Sequence, residues 1–409
     1  MFDCIIVGGG PAGSSAAYHL AKAQRTVLLL EKAALPRYKP CSGAVSPSVA
    51  DWFDFDFSPA IDSQIRRVRY TWKLGDAVDA ELETEPIWSV RRDVFDQFLI
   101  EQAKAKGAEV RDQTAVTGIE LTGDHWQVQI GGERLNSRYL IAADGASGPM
   151  ASWLGFRKHK VRAAGVLEAL TDQPVENGAF SFEFGLAKNG CLWSFPKQTG
   201  YSMGASSFIG ESLKHPEKLL TQYAKEFSVG RSEPVLSSSA TTAASATGVP
   251  TGTQDNANAI QVKRTKLGTI YLSPLKLWDG NYPLHTERAL IAGEAAAIVD
   301  PLTAEGIRPA MYSGMIGAQA IDRALNGEAD ALAGYTQTIH DSWGSDMQWA
   351  QRIAKVFFRV PKIGYRVGIK RPTATKRLGQ ILAGEVSYAD IANRVIKRIS
   401  TSFIPGMGK

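Results

Sequence analysis

Phe2-Asp-Cys-Ile-Ile-Val7, Gly8-Gly9-Gly10-Pro11-Ala12-Gly13, then Ser14 to Lys22 and Thr26 to Leu30 closing on Glu31: this opening stretch decides the fold. An apolar run of strand length ends in glycines. A small-residue segment follows with Leu20 at helical spacing, and a second apolar run ends in an acid. Strand, glycine turn, helix and strand make one βαβ unit. In the spacing Gly8-x-Gly10-x-x-Gly13 each glycine does something different. Gly8 permits the tight turn, Gly10 lets a pyrophosphate approach the backbone, and Gly13 lets helix and strand pack closely. The helix start at Pro11-Ala12 offers free N–H groups and the positive end of a dipole to phosphate. Glu31, 18 residues beyond Gly13 and followed by Lys32, is placed to accept hydrogen bonds from ribose hydroxyls. A glycine-rich turn without a ligand is the plain alternative, and the flanking strand, helix and acid argue against it. No second fingerprint of this quality appears, so one resident dinucleotide is expected, most economically a flavin.

Outward from that unit, residues 88–110 read as a helix flanked by strands, with Phe95, Phe98, Leu99 and Ala103 on one face. Runs at 115–121, 126–130 and 138–142 read as strands, with turns at Gly123-Asp124 and Gly131-Gly132. The region 163–207 is β-rich. Ser237 to Thr253 is too poor in apolar residues to nucleate a core and reads as a loop or insertion. A strand at 289–292 runs into Gly293-Glu294. After Glu305-Gly306 a long helix carries Met311, Met315, Ile316, Ala320 and Ile321 in its apolar pattern.

Composition narrows the function. The 409 residues are 44% hydrophobic and 21% charged, which excludes wholesale disorder. Cys4, Cys41 and Cys191 lie far apart, so no disulfide framework, Cys-rich zinc site or four-Cys iron–sulfur cluster is expected, and a reducing, cytoplasmic setting fits. The six histidines show no metal-ligand spacing, and Gly-x-Ser-x-Gly is absent. No stretch has the length of a membrane span, and no leader peptide is expected. The net charge of +5 divides into +11 for residues 350–409 and −6 for the rest. Without a nucleic-acid module, the basic tail reads either as peripheral contact with an anionic membrane or as a solvated helical face.

Three further segments carry a resemblance. Tyr139-Leu-Ile-Ala-Ala-Asp144-Gly145-Ala-Ser147 is similar to the DG motif of the group A flavoprotein hydroxylase superfamily. Gly293-Glu294-Ala295-Ala296 with Pro301-Leu-Thr-Ala-Glu305-Gly306-Ile307 resembles its flavin-binding GD…P…GI motif. Arg92-Asp93-Val94-Phe95-Asp96 resembles its RxxFD helix start. Two positions depart from the pattern: Glu294 replaces an Asp, and Ala304 stands where Gly is frequent. Within the superfamily the finer resemblance is to geranylgeranyl reductases. Pro36-Arg-Tyr-Lys39-Pro40-Cys41-Ser42-Gly43 resembles their PxxKxCGG segment, and Leu382-Ala-Gly384-Glu-Val-Ser-Tyr388 their LxGxxxY ending. Cys191-Leu-Trp193-Ser-Phe195-Pro196-Lys197 resembles YxWxFPK, with Cys191 in place of Tyr.

The resemblance implies an α/β protein with a Rossmann-like FAD-binding domain, a β-sheet substrate domain and a C-terminal helical extension. The expected bounds are 1–70, 88–155 and 263–325 for a discontinuous FAD domain, 71–87 and 156–262 for the substrate domain, and 326–409 for the basic helical region. It implies FAD held by Gly8, Gly10, Pro11, Ala12, Gly13, Glu31, Lys32, Arg92, Asp144, Gly293, Glu294, Gly306 and Ile307. An external reductant, NADPH or ferredoxin, is expected. Cys41 is the implied catalytic residue, as proton donor or flavin neighbour, against the plain reading of a small buried hydrophobe. Lys39 is implied to meet an anionic head group or lower the thiol pKa. Trp193, Phe195 and Pro196 are implied to wall a prenyl-lipid cavity, although alternate aromatics on a strand also serve as core. The implied reaction is reduction of isolated C=C bonds in a prenyl lipid or related hydrophobic molecule. A flavin monooxygenase or halogenase-like enzyme is the alternative, and an electron-relay flavoprotein a third reading.

Overall fold

The computed structural model describes residues 1–170, 175, 178–229 and 260–393. The expected insertion at 237–253 lies outside them, as do Arg394, Lys397, Arg398 and Lys409 of the basic tail.

Strand Phe2–Val7 is central in an eight-stranded sheet. Val27–Leu30 and Glu133–Ala142 flank it in parallel, and Glu109–Arg111 and Ala289–Ile291 extend the parallel set. The apolar runs Cys4–Val7, Val27–Leu30, Tyr139–Ala142 and Ala289–Ile291 are buried on both faces, as central parallel strands require. Helices Pro11–Lys22 and Ile307–Leu325 lie against each other over this sheet. Gly8 takes φ +110°, and a Cβ there would lie 2.4 Å from the Ala143 carbonyl oxygen; a Cβ on Gly13 would lie 1.9 Å from that of Gly8. Turn and close packing therefore both demand glycine.

A second eight-stranded sheet runs in the order Gln261–Thr265, Gly268–Lys276, Val161–Leu170, Gly200–Ser207, Gly190–Lys197, Phe180–Phe184, Arg67–Trp72 and Gly75–Glu81. It is antiparallel except where Phe180–Phe184 meets Arg67–Trp72. Its pairings draw boundaries unlike those expected. Residues 67–70 and 263–276, assigned above to the FAD domain, pair into this sheet: each belongs to a local hairpin, and the hairpins join the sheet through strands about 100 residues away in sequence, beyond the reach of local pattern. Alternation along the strands splits its two faces. Leu167, Leu192, Met203 and Ala205 face helix Pro216–Val229, whereas Ala164, Val166, Trp193 and Phe195 face the first domain.

The C-terminal region is not an appendage. Ala354, Phe358, Tyr365 and Ile369 join Phe180, Phe184 and Phe195 in one apolar cluster, and Tyr388 is buried with Trp278 and Met347.

Candidate active site

The carboxyl ends of the parallel strands open on one cavity of about 610 Å³, whose opposite wall is the second sheet. Gly8, Gly10, Pro11 and Ala12 line it at the start of helix Pro11–Lys22; Gly306 and Ile307 line it at the start of helix Ile307–Leu325. Neither helix has a side-chain N-cap, so both positive ends face the cavity with their N–H groups uncapped. Gly13 and Gly293 do not line the cavity. Each instead lets backbones pack: a Cβ on Gly293 would lie 2.9 Å from that of Ala12, and the Gly293 N–H donates to Ser313 at 2.9 Å.

Glu31, Lys32, Arg92, Asp144 and Glu294 also line the cavity. The Glu31 carboxylate accepts from the Gly9 and Ala33 N–H groups at 3.0 Å each and from Arg37 at 2.9 Å. Arg37 reaches Asp96 at 3.0 Å, and Asp96 takes a two-pronged bond from Arg92 at 2.7 and 2.8 Å. Burial pushes the Asp96 carboxyl up, but Arg92 and Arg37 outweigh it and hold it below its ordinary value. The network has two cations and two anions, which lets it be buried without net charge. Arg37, a cavity-lining residue, was not singled out by sequence; only its place between Pro36 and Tyr38 in the PxxKxCGG-like segment hinted at it.

Asp144 accepts the Met150 N–H at 2.9 Å through Oδ2, while its buried Oδ1 has no protein partner. Burial raises its pKa. Lys276 approaches Asp144 and Glu294, and burial lowers its pKa against their pull. Lys39 pairs with Glu294 at 3.7 Å, so the expected head-group contact and the expected flavin contact are salt-bridged to each other. Ala304 lines the cavity at φ +58°, a conformation that explains the family's glycine there.

On the opposite wall, Trp193 and Phe195 line the cavity with Phe180 and Phe182. The Trp193 indole lies on Gly204, where a Cβ would come within 2.0 Å of the ring, and its N–H donates to Ser42. Pro196 is a correction: alternation turns it to the other face, where it packs on Gly178, and only its carbonyl reaches back, accepting from Ser89 at 2.7 Å. Lys197, turned inward, donates to Ser42 O, Ser89 Oγ and Val90 O at 2.7, 2.9 and 2.9 Å, tying the Cys41 loop to the sheet. Burial lowers its pKa, with Glu168 opposing. Half-buried Cys41 lines the cavity with its thiol beside the Arg92 guanidinium.

Sequence reasoning missed a polar end of this wall. Glu168 is paired across the strands with Ser202, and Ser202 with Phe195. Glu168 accepts from Tyr38 at 2.6 Å and Ser202 at 2.5 Å; burial raises its pKa despite those bonds. The Tyr38 ring packs at a tilt against Tyr271 with centroids 4.3 Å apart, and both line the cavity. Nothing local in the sequence brings residues 38, 168, 202 and 271 together. Among the described residues, no three His, Cys, Asp or Glu side chains converge as a metal site.

Residues 1–204 match the family described as FAD binding domain. The chain is 26% identical over 344 residues to a digeranylgeranylglycerophospholipid reductase of Methanocaldococcus jannaschii, covering 80% of this chain and 78% of that protein. It is 27% identical over 335 residues to a geranylgeranyl diphosphate reductase of Rhodobacter capsulatus, covering 78% and 74%. A geranylgeranyl bacteriochlorophyll reductase-like protein of Thermoplasma acidophilum shares the fold, with TM-score 0.68, 20% identity and coverage of 94% and 92%. So does the flavin-dependent brominase Bmp2 in a triple-mutant form, with TM-score 0.66, 18% identity and coverage of 98% and 100%.

Proposed function

The chain belongs, through residues 1–204, to the FAD binding domain family and is an FAD-dependent oxidoreductase akin to the geranylgeranyl reductases; from that premise we propose that it saturates isolated C=C bonds of a geranylgeranyl or other prenyl lipid. One observation carries the reading: the aromatic wall of Phe180, Phe182, Trp193 and Phe195 shares a single cavity with the glycine turn and both uncapped helix ends. A prenyl chain is met by such an apolar wall. The names of the two curated relatives share the geranylgeranyl chain and differ in the head group, which fits recognition centred on the chain.

The residues present fit an FAD. Gly8, Gly10, Pro11 and Ala12 would meet its phosphates, with Gly13 fixing the turn, and Glu31 and Lys32 would meet the nucleotide half. Asp144, whose buried Oδ1 lacks a protein partner, Glu294, Gly306 and Ile307 would hold the flavin half, with Gly293 and Arg92 in support. Reduced FAD, when bound, supplies the hydride. An external donor, NADPH or ferredoxin, would recharge it.

The chain itself contributes placement and the proton, and both matter because an isolated alkene is a poor hydride acceptor. Trp193 and Phe195 align the chain along the wall and exclude water. The proton for the second carbon comes from a group on the cavity surface. Cys41 is one such donor. Tyr38 is the other, since it lines the cavity and its hydroxyl is oriented by the Glu168 carboxylate to which it donates. Cys41→Ala and Tyr38→Phe, compared in single turnovers, separate the two.

The test is to reduce the purified flavoprotein with dithionite under anaerobic conditions, add a geranylgeranyl lipid, and follow flavin absorbance and product mass. Reoxidation without oxygen, with two hydrogens gained per double bond, is expected. A product formed only with oxygen would move the assignment to a monooxygenase.

A further inference from the structure

We propose that the surface formed by Val356, Val360, Ile363 and Val367, with the cations around it, lies on an anionic lipid bilayer. The four aliphatics are spaced by four, three and four residues and are 68%, 43%, 60% and 51% exposed. Val356 lies on helix Ser345–Arg359, Ile363 on the helical turn Pro361–Gly364 and Val367 on Tyr365–Ile369, with Val360 at the junction between the first two. Ala350, Ala354, Phe358, Tyr365 and Ile369 point the other way, into the apolar clusters. Single exposed aliphatics are ordinary; four of them between residues 356 and 367 mark a contact surface.

Charge identifies what covers it. Arg352, Lys355, Arg359, Lys362, Arg366 and Lys370 are exposed along the same segment, and no Asp or Glu occurs from 347 to 384. Lys370 is engaged by Asp76 at 2.5 Å, and Arg352 lies over the Trp349 ring. A second copy of the chain would set this positive face against itself. An anionic leaflet meets both features, with aliphatic tips at the acyl boundary and cations among the head groups. Among the described residues no helix is long and apolar enough to cross a membrane, so the contact is with the surface. The inference is independent of the reductase reading, because binding to vesicles needs no substrate.

The full chain is mixed with vesicles of phosphatidylcholine, with or without phosphatidylglycerol, and sedimented. Binding is expected on the anionic vesicles, weakening as salt rises, with little on the neutral ones. The triple variant Arg359→Gln, Lys362→Gln, Arg366→Gln is expected to partition about a hundredfold more weakly. Val356→Ser with Ile363→Ser should lower binding at every salt concentration. Melting temperature and bound flavin verify that both variants are folded. Absence of wild-type binding to anionic vesicles, or equal binding by both variants, would overturn the proposal. So would dimerisation in the absence of lipid that Val356→Ser with Ile363→Ser abolishes, since that assigns the face to self-association. A protein that binds vesicles yet reduces no prenyl lipid would leave this proposal standing and remove the reductase reading.

Discussion

The two walls of the cavity are built by different means. On the first-domain side the backbone does much of the shaping: a glycine turn whose geometry follows from a contiguous motif, two helix ends and the strand termini. On the sheet side, side chains do the shaping, and cross-strand register decides which of them meet. A backbone wall tolerates almost no change at its glycines, whereas a side-chain wall can be altered while the fold persists.

Two glycine substitutions sharpen that contrast most. Gly13→Val drives a methyl into the Gly8 carbonyl, which has nowhere to move, so no soluble yellow protein is expected on purification. At Gly204 the nearest atoms to an added Cβ are those of the Trp193 indole, a movable side chain, so Gly204→Val should yield a flavin-bound protein with impaired lipid turnover. Equal loss of flavin in both would erase the distinction between the walls.

The same contrast explains what was legible in the sequence. The βαβ unit could be read because strand, turn, helix and acid lie within 31 consecutive residues. Trp193 and Phe195 were found through a local motif, but Pro196 was carried along with them against the two-residue alternation that turns it away. Arg37 was passed over because a lone Arg in a loop has no periodicity. Glu168 and Tyr271 were invisible, since each acquires its role only when distant strands pair. The domain boundaries at 70 and 263 slipped for the same reason.

Asp96→Ala probes the network behind the first wall. It would leave the buried Arg92 guanidinium without its carboxylate and Arg37 with Glu31 alone, and a loss of about 3–5 kcal/mol is expected in denaturant unfolding, with poorer flavin retention. Trp193→Ala probes the opposite wall. Removing that much apolar contact should weaken lipid binding about 10–100-fold, measured as KM, with flavin content unchanged.

The smallest effect concerns Glu183, in the second sheet but away from the cavity. Burial pushes its carboxyl up to about 7, against hydrogen bonds from Thr71 and Leu74. The folded protein therefore holds a proton that the unfolded chain, with its carboxyl near 4.5, has already released. By linkage, this contribution to stability is present at low pH and is lost as pH rises between those two values, by at most about 1.4 kcal/mol per pH unit. Glu183→Gln should flatten the decline in melting temperature across that window. A wild-type profile that rises there, with the variant unchanged, would reverse the sign.

Tyr388, near the far end of the described chain, donates at 2.6 Å to buried Asp300, whose carboxylate also accepts the Leu302 and Thr303 N–H groups. Burial raises the Asp300 pKa, and Thr303, Ala304 and Glu305 of the same loop line the cavity. The bond makes the C-terminal segment a tether. A load on the aliphatic row at 356–367 is carried by a stretch of chain anchored at Tyr388 to the loop that walls the cavity. Cutting the chain before Tyr388 would free that loop at one end, so this protein cannot be shortened to its two sheets without loosening the chamber between them.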